Sequence, residues 1–369
     1  LTGAGLALKL AQALFSRMGR PIPGRLLQMA ALGTIADVGA LVGENRVLVK
    51  LGLEGLRTTT EPGIAALAAM AGIELAAIDS EALSFSIIPR LNAAGRLGHA
   101  SSSLDLLTTR DADQAHRIAG TLDRLNAERQ KITESAMAEA RRQLSRQPDA
   151  PVLFVGHPDW LPGILGLVAG RLAEENRRPV VAIAMGEETS RASVRSIPQV
   201  DIHAALNNAD VTFVRFGGHA QAAGFTVASS DMERLKKSLA GTVSRQLSAG
   251  LPEQAIEYDC EVPLALLQGE TMDFLHALAP HGEGNPEPVF LSRAMRVMDA
   301  RLVGQEGRHL KMRVSQYGAP VTDAIAFRMG SRYALLPNRI DLLYTIGIDT
   351  WGGRPRTQLK VVDFRPAGI

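Results

Sequence analysis

Asp37, at the end of the apolar stretch Gly33–Val38, is the first residue whose type and setting suggest chemistry. A carboxylate buried among apolar residues must be hydrogen-bonded, ion-paired or metal-bound, because burying a lone charge costs several kcal/mol. The alternative is an Asp that caps a helix or turns the chain. One carboxylate does not by itself make a metal site.

The segment Pro89–Gly98 places Arg90, Asn92 and Arg96 around small residues that would let a ligand approach the backbone. Guanidinium groups match the geometry of phosphate oxygens, so this segment is a candidate phosphate site. A surface loop with salt-bridged arginines is the alternative.

A third segment, Phe216–Gly224, contains Gly217, Gly218 and His219. Paired glycines after a strand could form a tight turn whose N–H groups bind an anion. His219 at its tip could donate a hydrogen bond to a phosphate or act as an acid, although a lone His is more often structural.

Two further stretches are less specific. Ser193, Arg195 and Ser196 have phosphate-binding chemistry, but they could equally be residues at a strand edge. Asp159–Gly166 turns into a helix N-terminus that could face a ligand, with structural packing expected for Trp160. Phosphate-binding loops of ATPases, the serine-hydrolase elbow and the zinc-protease motif are absent from the sequence, so those chemistries are not expected.

The length and composition are typical of a soluble globular protein of two or three domains. The 369 residues exceed one ordinary core, and 46% hydrophobic and 21% charged residues are typical of globular chains. Cys260 is the only cysteine, which suits a reducing cytoplasm. No apolar run reaches the roughly 18 residues of a membrane span. Leu1 in place of Met, with no signal peptide, suggests a truncated chain.

The net charge is only +2, but residues 291–369 hold 13 Lys and Arg against 6 Asp and Glu. A nucleic-acid-binding module would show this asymmetry, as would a solvated basic face.

Periodicity predicts an α/β protein in four parts. Residues 1–110 are helical, and residues 111–147 form one long helix with a narrow apolar stripe, which suggests a strut. An α/β domain over 148–250 has strands at Val152–Val155, Pro179–Ile183 and Val211–Val214. Residues 255–369 hold five short strands, which fits a barrel of the OB type, a common binder of single strands.

These stretches together resemble the RecJ family of DHH-type phosphoesterases. The matching motifs fall in the family's order over nearly the whole chain and are the following: Gly33–Val38 with Glu44–Arg46, Pro89–Gly98, Trp160–Gly163, Arg195–Pro198, Gly217–His219 with Ala222–Gly224, and Gly282–Pro288.

The resemblance implies the carboxy-terminal part of a DHH catalytic domain (1–110), a connecting helix (111–147), a DHHA1 domain (148–250) and an OB-fold (255–369). It also implies 5′-to-3′ hydrolysis of single-stranded DNA with two Mn²⁺ or Mg²⁺ ions, in DNA repair and recombination. The implied partners are single-stranded DNA, a single-stranded-DNA-binding protein and a helicase.

Residue by residue, the resemblance makes Asp37 a metal ligand and lines the cleft with Arg90, Asn92 and Arg96. His219 with Gly217 and Gly218 would grip the phosphate, and Arg195 with Ser196 would hold the strand. Two departures matter: Asp-His-His occurs nowhere in the chain, and Leu161 follows Trp160 where relatives commonly carry His.

The chain alone is therefore expected to be inactive. Two other functions stay open: a non-catalytic strand-binding or scaffold protein, and a DHH phosphodiesterase that acts on short oligonucleotides.

Overall fold

The computed structural model describes residues 1–248, 250, 255–349 and 356–368. The chain forms two compact units. One comprises Leu1–Gly55 together with Gln254–Ile369, and the other comprises Leu56–Glu253. Among the described residues, no helix is both long and apolar enough to cross a membrane.

The regular elements are numbered in chain order. The helices are α1 (Gly3–Arg17), α2 (Gly24–Ala36), α3 (Gly43–Arg57), α4 (Pro62–Ala71), α5 (Ser80–Ala82), α6 (Ile88–Leu97), α7 (Ser101–Thr108), α8 (Ala112–Leu144), α9 (Pro162–Asn176), α10 (Ile202–Asn207), α11 (Met232–Gln246) and α12 (Glu270–Ala277). The strands are β1 (Leu153–His157), β2 (Val180–Ala184), β3 (Thr189–Arg195), β4 (Phe213–His219), β5 (Ala222–Ala228), β6 (Cys260–Glu261), β7 (Phe290–Val303), β8 (His309–Ser315), β9 (Thr322–Ala326), β10 (Arg339–Asp349) and β11 (Arg356–Pro366).

The unit Leu56–Glu253 is built around α8, the helix that the sequence predicts. Asp111 caps it by accepting a hydrogen bond from the N–H of Gln114. Its first half packs against α4, α6 and α7, and its second half against α9 and β1. Helix α8 is thus packed on neighbours along its length, more than the predicted narrow stripe suggests.

A mixed five-stranded sheet completes this unit, in the order β1-β2-β3-β5-β4. Only β1 and β2 pair in parallel, and the other pairs are antiparallel. The sequence predicts β1 and β2 but misses β3 and β5, and it places the third strand early. Along β3, the buried residues Ser190, Ala192 and Val194 alternate with more exposed polar residues. No continuous apolar run therefore marks this strand in the sequence.

In the other unit, α1–α3 pack through Leu8, Ala30 and Leu48. Strands β7–β11 form a barrel in the order β7-β8-β9-β11-β10, and β10 closes it by pairing with β7, while the two-residue β6 pairs with β7 in parallel. The pairing of β9 with β11 is parallel and the other barrel pairings are antiparallel. This closed five-stranded barrel confirms the predicted OB-type architecture.

Candidate nucleic-acid interface

Strands β3, β5 and β4 present small or basic residues on one face of the sheet. Directly opposed residues of antiparallel strands share a face. Three such rows cross the strands: Arg191, Thr226 and Arg215; Ser193, Gly224 and Gly217; Arg195, Ala222 and His219. The alternate residues, such as Val194, Ala223 and Phe225, are buried in the core beneath. One face of the sheet is therefore core and the other is a polar surface.

A groove of about 570 Å³ lies over this surface, with Gly163 and Leu165 of α9 among its walls. Its floor is kept open by glycine, because a Cβ built on Gly217 would meet no atom within 4 Å. A Cβ on Gly224 would meet only the carbonyl oxygen of Ala192, at 3.6 Å. These two positions provide space for a ligand rather than backbone flexibility.

The predicted anion-binding turn at Gly217 and Gly218 is wrong. Both glycines lie within β4, where they pair with Gly224 and Ala223. The chain reverses after them, between His219 and Ala222, so their N–H groups do not form a tight-turn nest. His219 is exposed at the end of the strand, in the same row as Arg195.

Arg96 and Arg195 converge on the first turns of α9. A Cβ on Gly163 would lie 2.0 Å from the carbonyl oxygen of Arg96, so only glycine permits this approach. Arg96 donates a hydrogen bond to the Gly163 carbonyl (3.2 Å), and a Cβ on Gly166 would lie 3.1 Å from the Arg195 guanidinium. Burial, and then the neighbouring Arg195, lowers the pKa of Arg96; burial also lowers the pKa of Arg195.

Arg129 of α8 adds a third guanidinium to this cluster. It is 8% exposed and donates to Asn126 Oδ1 (2.8 Å), but its Nε has no hydrogen-bond partner among the described residues. Burial lowers its pKa, with further contributions from Arg96 and Arg171. We call Arg96, Arg129, Arg171 and Arg195 the arginine cluster. Within the described parts of the chain, none of its four members forms an ion pair with a carboxylate.

Two predicted ligand-binding residues are engaged in the protein's own structure. The motif Pro89–Gly98 is helical rather than a loop, and Arg90 pairs with Asp123 (2.8 Å) and donates to the carbonyl of Ser86. The Ser196 hydroxyl donates to the Val200 carbonyl at 2.7 Å. Ser193 instead faces the groove, where its Oγ accepts a hydrogen bond from Arg195. Asn92 is exposed on α6.

Trp160 packs in the core with Ile164 and Leu165, in agreement with the structural role expected for it. Leu161, which follows it, is the N-cap residue of α9 and is 40% exposed. An apolar side chain there supplies no hydrogen bond to the helix or to a ligand.

Asp37 lies in the other unit and ends α2 as its C-cap. The expectation that it is buried is wrong, because its side chain is exposed. The next residue, Val38, has φ of +53°, a left-handed conformation that is unusual for a β-branched side chain. Hydrogen bonds from Val38 N–H to Ile35 (3.1 Å) and from Gly39 N–H to Thr34 (2.9 Å) close a Schellman motif at this point.

The segment after Asp37 is held by the loop that leads into the barrel. Leu41 N–H donates to the Glu283 carbonyl (2.6 Å), and Arg46 donates to that of Leu278 (2.6 Å). Asn285 Nδ2 also bonds the Leu278 carbonyl, at 3.1 Å. A Cβ on Gly282 would lie 2.8 Å from Leu41 Cδ1. Asp37 therefore projects from a backbone that is fixed on both sides.

The described residues do not by themselves make a metal centre. Over the described ranges, no group of three or more His, Cys, Asp or Glu side chains is placed to hold an ion. Asp37 is a single exposed carboxylate, which suits one ligand of a larger set but not a complete site.

Comparison with known proteins shows the family of the chain. Residues 149–245 match the DHHA1 domain and residues 258–363 match the RecJ OB domain. The single-stranded-DNA-specific exonuclease RecJ of Dickeya dadantii is 34% identical over 99% of this chain and 67% of its own length. The chain belongs to the RecJ family.

Other RecJ proteins agree but are longer. That of Bacillus subtilis is 32% identical over 98% of this chain and 46% of its own length. The crystal structure of RecJ from Thermus thermophilus in complex with Mn²⁺ matches with a TM-score of 0.82 at 33% identity, over 97% of this chain and 52% of that one. A second crystal structure of the same protein contains Mg²⁺. The chain thus spans about half the length of several RecJ proteins that it matches.

Sequence reasoning missed Arg129, Arg171, Arg191 and Arg215. The last two were detectable, because Arg191, Ser193 and Arg195 alternate at the period of a strand, as do Arg215, Gly217 and His219. Arg129 carried no comparable signal, because an arginine on a long charged helix is expected to face water.

Proposed function

We propose that this chain is the carboxy-terminal part of a 5′-to-3′ exonuclease specific for single-stranded DNA, whose DHHA1 groove binds the phosphates of the strand. In this proposal residues 1–110 complete a DHH domain, 111–147 connect it to the DHHA1 domain at 148–250, and 255–369 are the OB-fold. The protein acts in the cytoplasm, in DNA repair and recombination, beside a single-stranded-DNA-binding protein and a helicase.

The observation that carries the proposal is the arginine cluster beside the glycine-floored groove. Guanidinium groups that are buried, as in Arg129, or half-buried, as in Arg96 and Arg195, and that no described carboxylate neutralises are electrostatically unfavourable unless an anion arrives. A phosphodiester supplies that anion, since its oxygens accept forked hydrogen bonds from arginine. Arg96, Arg195 and Ser193 would contact the phosphate, while Gly217 and Gly224 leave room for the nucleotide.

Catalysis in this proposal needs metal ligands beyond this chain. Asp37 is assigned to one metal ion, and the rest of the set would come from residues that the chain does not contain. His219 is assigned to the phosphate and would donate a hydrogen bond to it. The chain alone is then a binding-competent but inactive part of the enzyme.

Digestion of 5′-labelled single-stranded DNA in Mn²⁺ tests the assignment of the metal ligands. The chain alone should not cut, and neither should its Asp37→Ala variant. A longer protein that adds the Asp-His-His half should cut, and Asp37→Ala in that protein should abolish cutting. Cutting by the chain alone that Asp37→Ala removes would show that the metal ions find their ligands here, and the proposal of missing ligands would fall.

Filling the groove tests the binding site itself. Gly217→Leu should lower the affinity of the chain for a short single strand, measured by fluorescence anisotropy, because the new side chain occupies the open floor. Gly241→Leu is the matched control: Gly241 is exposed on α11, and its Cβ would also meet nothing within 4 Å. Equal affinities for the two variants would remove the groove from the proposal.

A non-catalytic strand-binding protein is the second candidate, supported by the incomplete metal set within the described residues. It predicts that the longer protein binds single strands normally yet never cuts them. A phosphodiesterase of short oligonucleotides would bind equally well without residues 255–369, so deletion of the barrel should leave its affinity unchanged.

A further inference from the structure

The barrel has few aromatic side chains, and the structure separates them into two groups. Phe290, Tyr344 and Phe364 are buried in the barrel core. Trp351 lies outside the described residues. Tyr317, Phe327 and Tyr333 are exposed, by 102%, 55% and 44% respectively. Tyr258 and Phe274, which precede β7, are also exposed, by 45% and 73%. Among the described aromatic residues from β7 to β11, this second group is the one that could meet a ligand at the barrel surface.

Phe327 differs from the other two because it is held by a second ring. It follows β9 directly and makes an edge contact with His309, the first residue of β8, with ring centroids 5.4 Å apart and planes at 76°. An edge contact supports the ring while leaving a face free. Among the described aromatic residues, Tyr317 and Tyr333 have no such ring neighbour.

The backbone around this pair fixes the rings in place. The N–H of Arg328 donates to His309 Nδ1 at 2.9 Å, and Arg328 has φ of +60°. A left-handed conformation is strained for arginine, and the hydrogen bond to the imidazole stabilises it. On its other side, His309 Cδ2 would lie 2.7 Å from a Cβ at Gly304, so the ring packs directly on the backbone.

Cations flank the pair on the outer face of the barrel. Leu310, Met312 and Val314 point into the core, so His309 and Lys311 point outward. Arg301 of β7 lies directly opposite Lys311. This pair is one row away from His309, a distance of about 7 Å along the strand. Arg301 and Lys311 line a groove of about 810 Å³.

We propose that Phe327, supported by His309, is a stacking platform for one nucleobase of a single strand, with the exposed Arg301 receiving the adjoining phosphate. The inference rests on the proposed function, since it takes single-stranded DNA as the ligand, but it assigns a separate contact on the barrel. A free aromatic face beside cations suits a nucleotide, which offers a planar base and an anion at that spacing.

The test compares two ligands, oligothymidylate and an abasic strand of the same length that keeps only sugar and phosphate. Phe327→Ala should weaken binding of oligothymidylate to the chain about tenfold, as expected for one lost base stack, and leave binding of the abasic strand unchanged. Phe327→Trp should retain affinity, and its fluorescence should be quenched by oligothymidylate but not by the abasic strand.

Tyr317→Ala is the matched control, because Tyr317 is a fully exposed aromatic residue of the same barrel, and it should have no effect on either ligand. Phe327→Leu separates stacking from apolar contact and should behave like Phe327→Ala. Equal loss on both strands, or no loss, would overturn the platform. Gly217→Leu reports the groove of the other unit independently, so failure there would leave the result at Phe327 interpretable.

Discussion

The groove over β3, β5 and β4 and the barrel are both rich in arginine, but they use it differently. In the barrel, several arginines are paired with carboxylates: Arg293 and Arg365 with Asp341, and Arg332 with Asp363. In the arginine cluster beside the groove, no described residue supplies a carboxylate partner. Excess positive charge in the sequence is therefore not the same as positive charge available to a ligand.

This difference makes the charge excess of the barrel a weaker argument for nucleic-acid binding than the sequence alone suggests. The excess of basic residues over 291–369 favoured a nucleic-acid-binding module, yet several of those arginines hold the barrel together. The arginine cluster, for which no described residue supplies a carboxylate partner, lies instead outside this basic segment of the chain. Comparison of the two regions therefore predicts that charge removal costs folding stability in the barrel and ligand affinity in the groove.

The largest effect is expected in the barrel, at Asp341. This carboxylate is 4% exposed; it accepts from the N–H of Ala294 (3.1 Å) and from Arg293 and Arg365. Asp341→Ala should lower the free energy of unfolding by about 3 kcal/mol, below the usual upper range because both arginines are about half exposed. Chemical denaturation followed by circular dichroism measures it.

The control for Asp341 is Asp299→Ala, at an exposed carboxylate of the same barrel. It should change stability by less than about 0.5 kcal/mol. If Asp341→Ala were equally mild, the paired charges of the barrel would not be structural and the contrast between the two regions would disappear.

The next largest effect is expected beside the groove, at Arg195, which donates a hydrogen bond to Ser193 of the groove lining. Arg195→Ala should weaken binding of a short single strand by about ten- to a hundredfold, because a charge-assisted contact of about 1.4–3 kcal/mol is lost. The folded state should be unharmed, since the hydrogen bonds of the Arg195 side chain to described residues are short-range ones, to Ser193 and Val194.

Arg117→Ala is the matched control for Arg195, at an arginine exposed on α8. The salt dependence of binding should fall by about 0.7 in slope for Arg195→Ala and stay unchanged for Arg117→Ala. Equal affinities for these two variants would place the phosphate elsewhere.

A pH effect on stability is expected in the barrel, at Tyr344. Burial raises the pKa of Tyr344 to about 12, partly offset by its hydrogen bond with Ser292. Because the folded pKa lies above the ordinary value of about 10, the stabilisation is complete below pH 10 and is lost as the pH rises toward 12. The loss should approach about 1.4 kcal/mol per pH unit within that window.

Alkaline unfolding of the chain and of its Tyr344→Phe variant measures this effect. The variant should lose the pH dependence between 10 and 12, at the cost of the hydrogen bond to Ser292 at neutral pH. Identical pH profiles would mean that another group titrates there.

How far the sequence predicted these features depends on the length scale of each. Local patterns predicted α8 and the OB-type barrel, because long periodic helices and alternating short strands leave a direct trace. The motifs that carry Arg96, Arg195 and Gly217 were also found. The pairing of Arg90 with Asp123 and the inward position of Arg129 depend on contacts between distant segments. No spacing rule along one segment could predict them.

The smallest effect is expected at Arg129, where one substitution should raise the stability of the fold and weaken binding of a single strand. Arg129 is buried with an unpartnered Nε, which should destabilise the folded chain in the absence of an anion. Arg129→Met keeps much of the side-chain volume and removes the charge, so it should raise the free energy of unfolding by about 1 kcal/mol while weakening binding of a single strand. Thermal melts and anisotropy on the same samples measure the two effects.

Added single-stranded DNA should then raise the melting temperature of the native chain more than that of the variant, because tighter ligand binding stabilises the folded state more. A less stable variant would mean that Asn126 satisfies Arg129 within the fold, and the cluster would lose its most buried member.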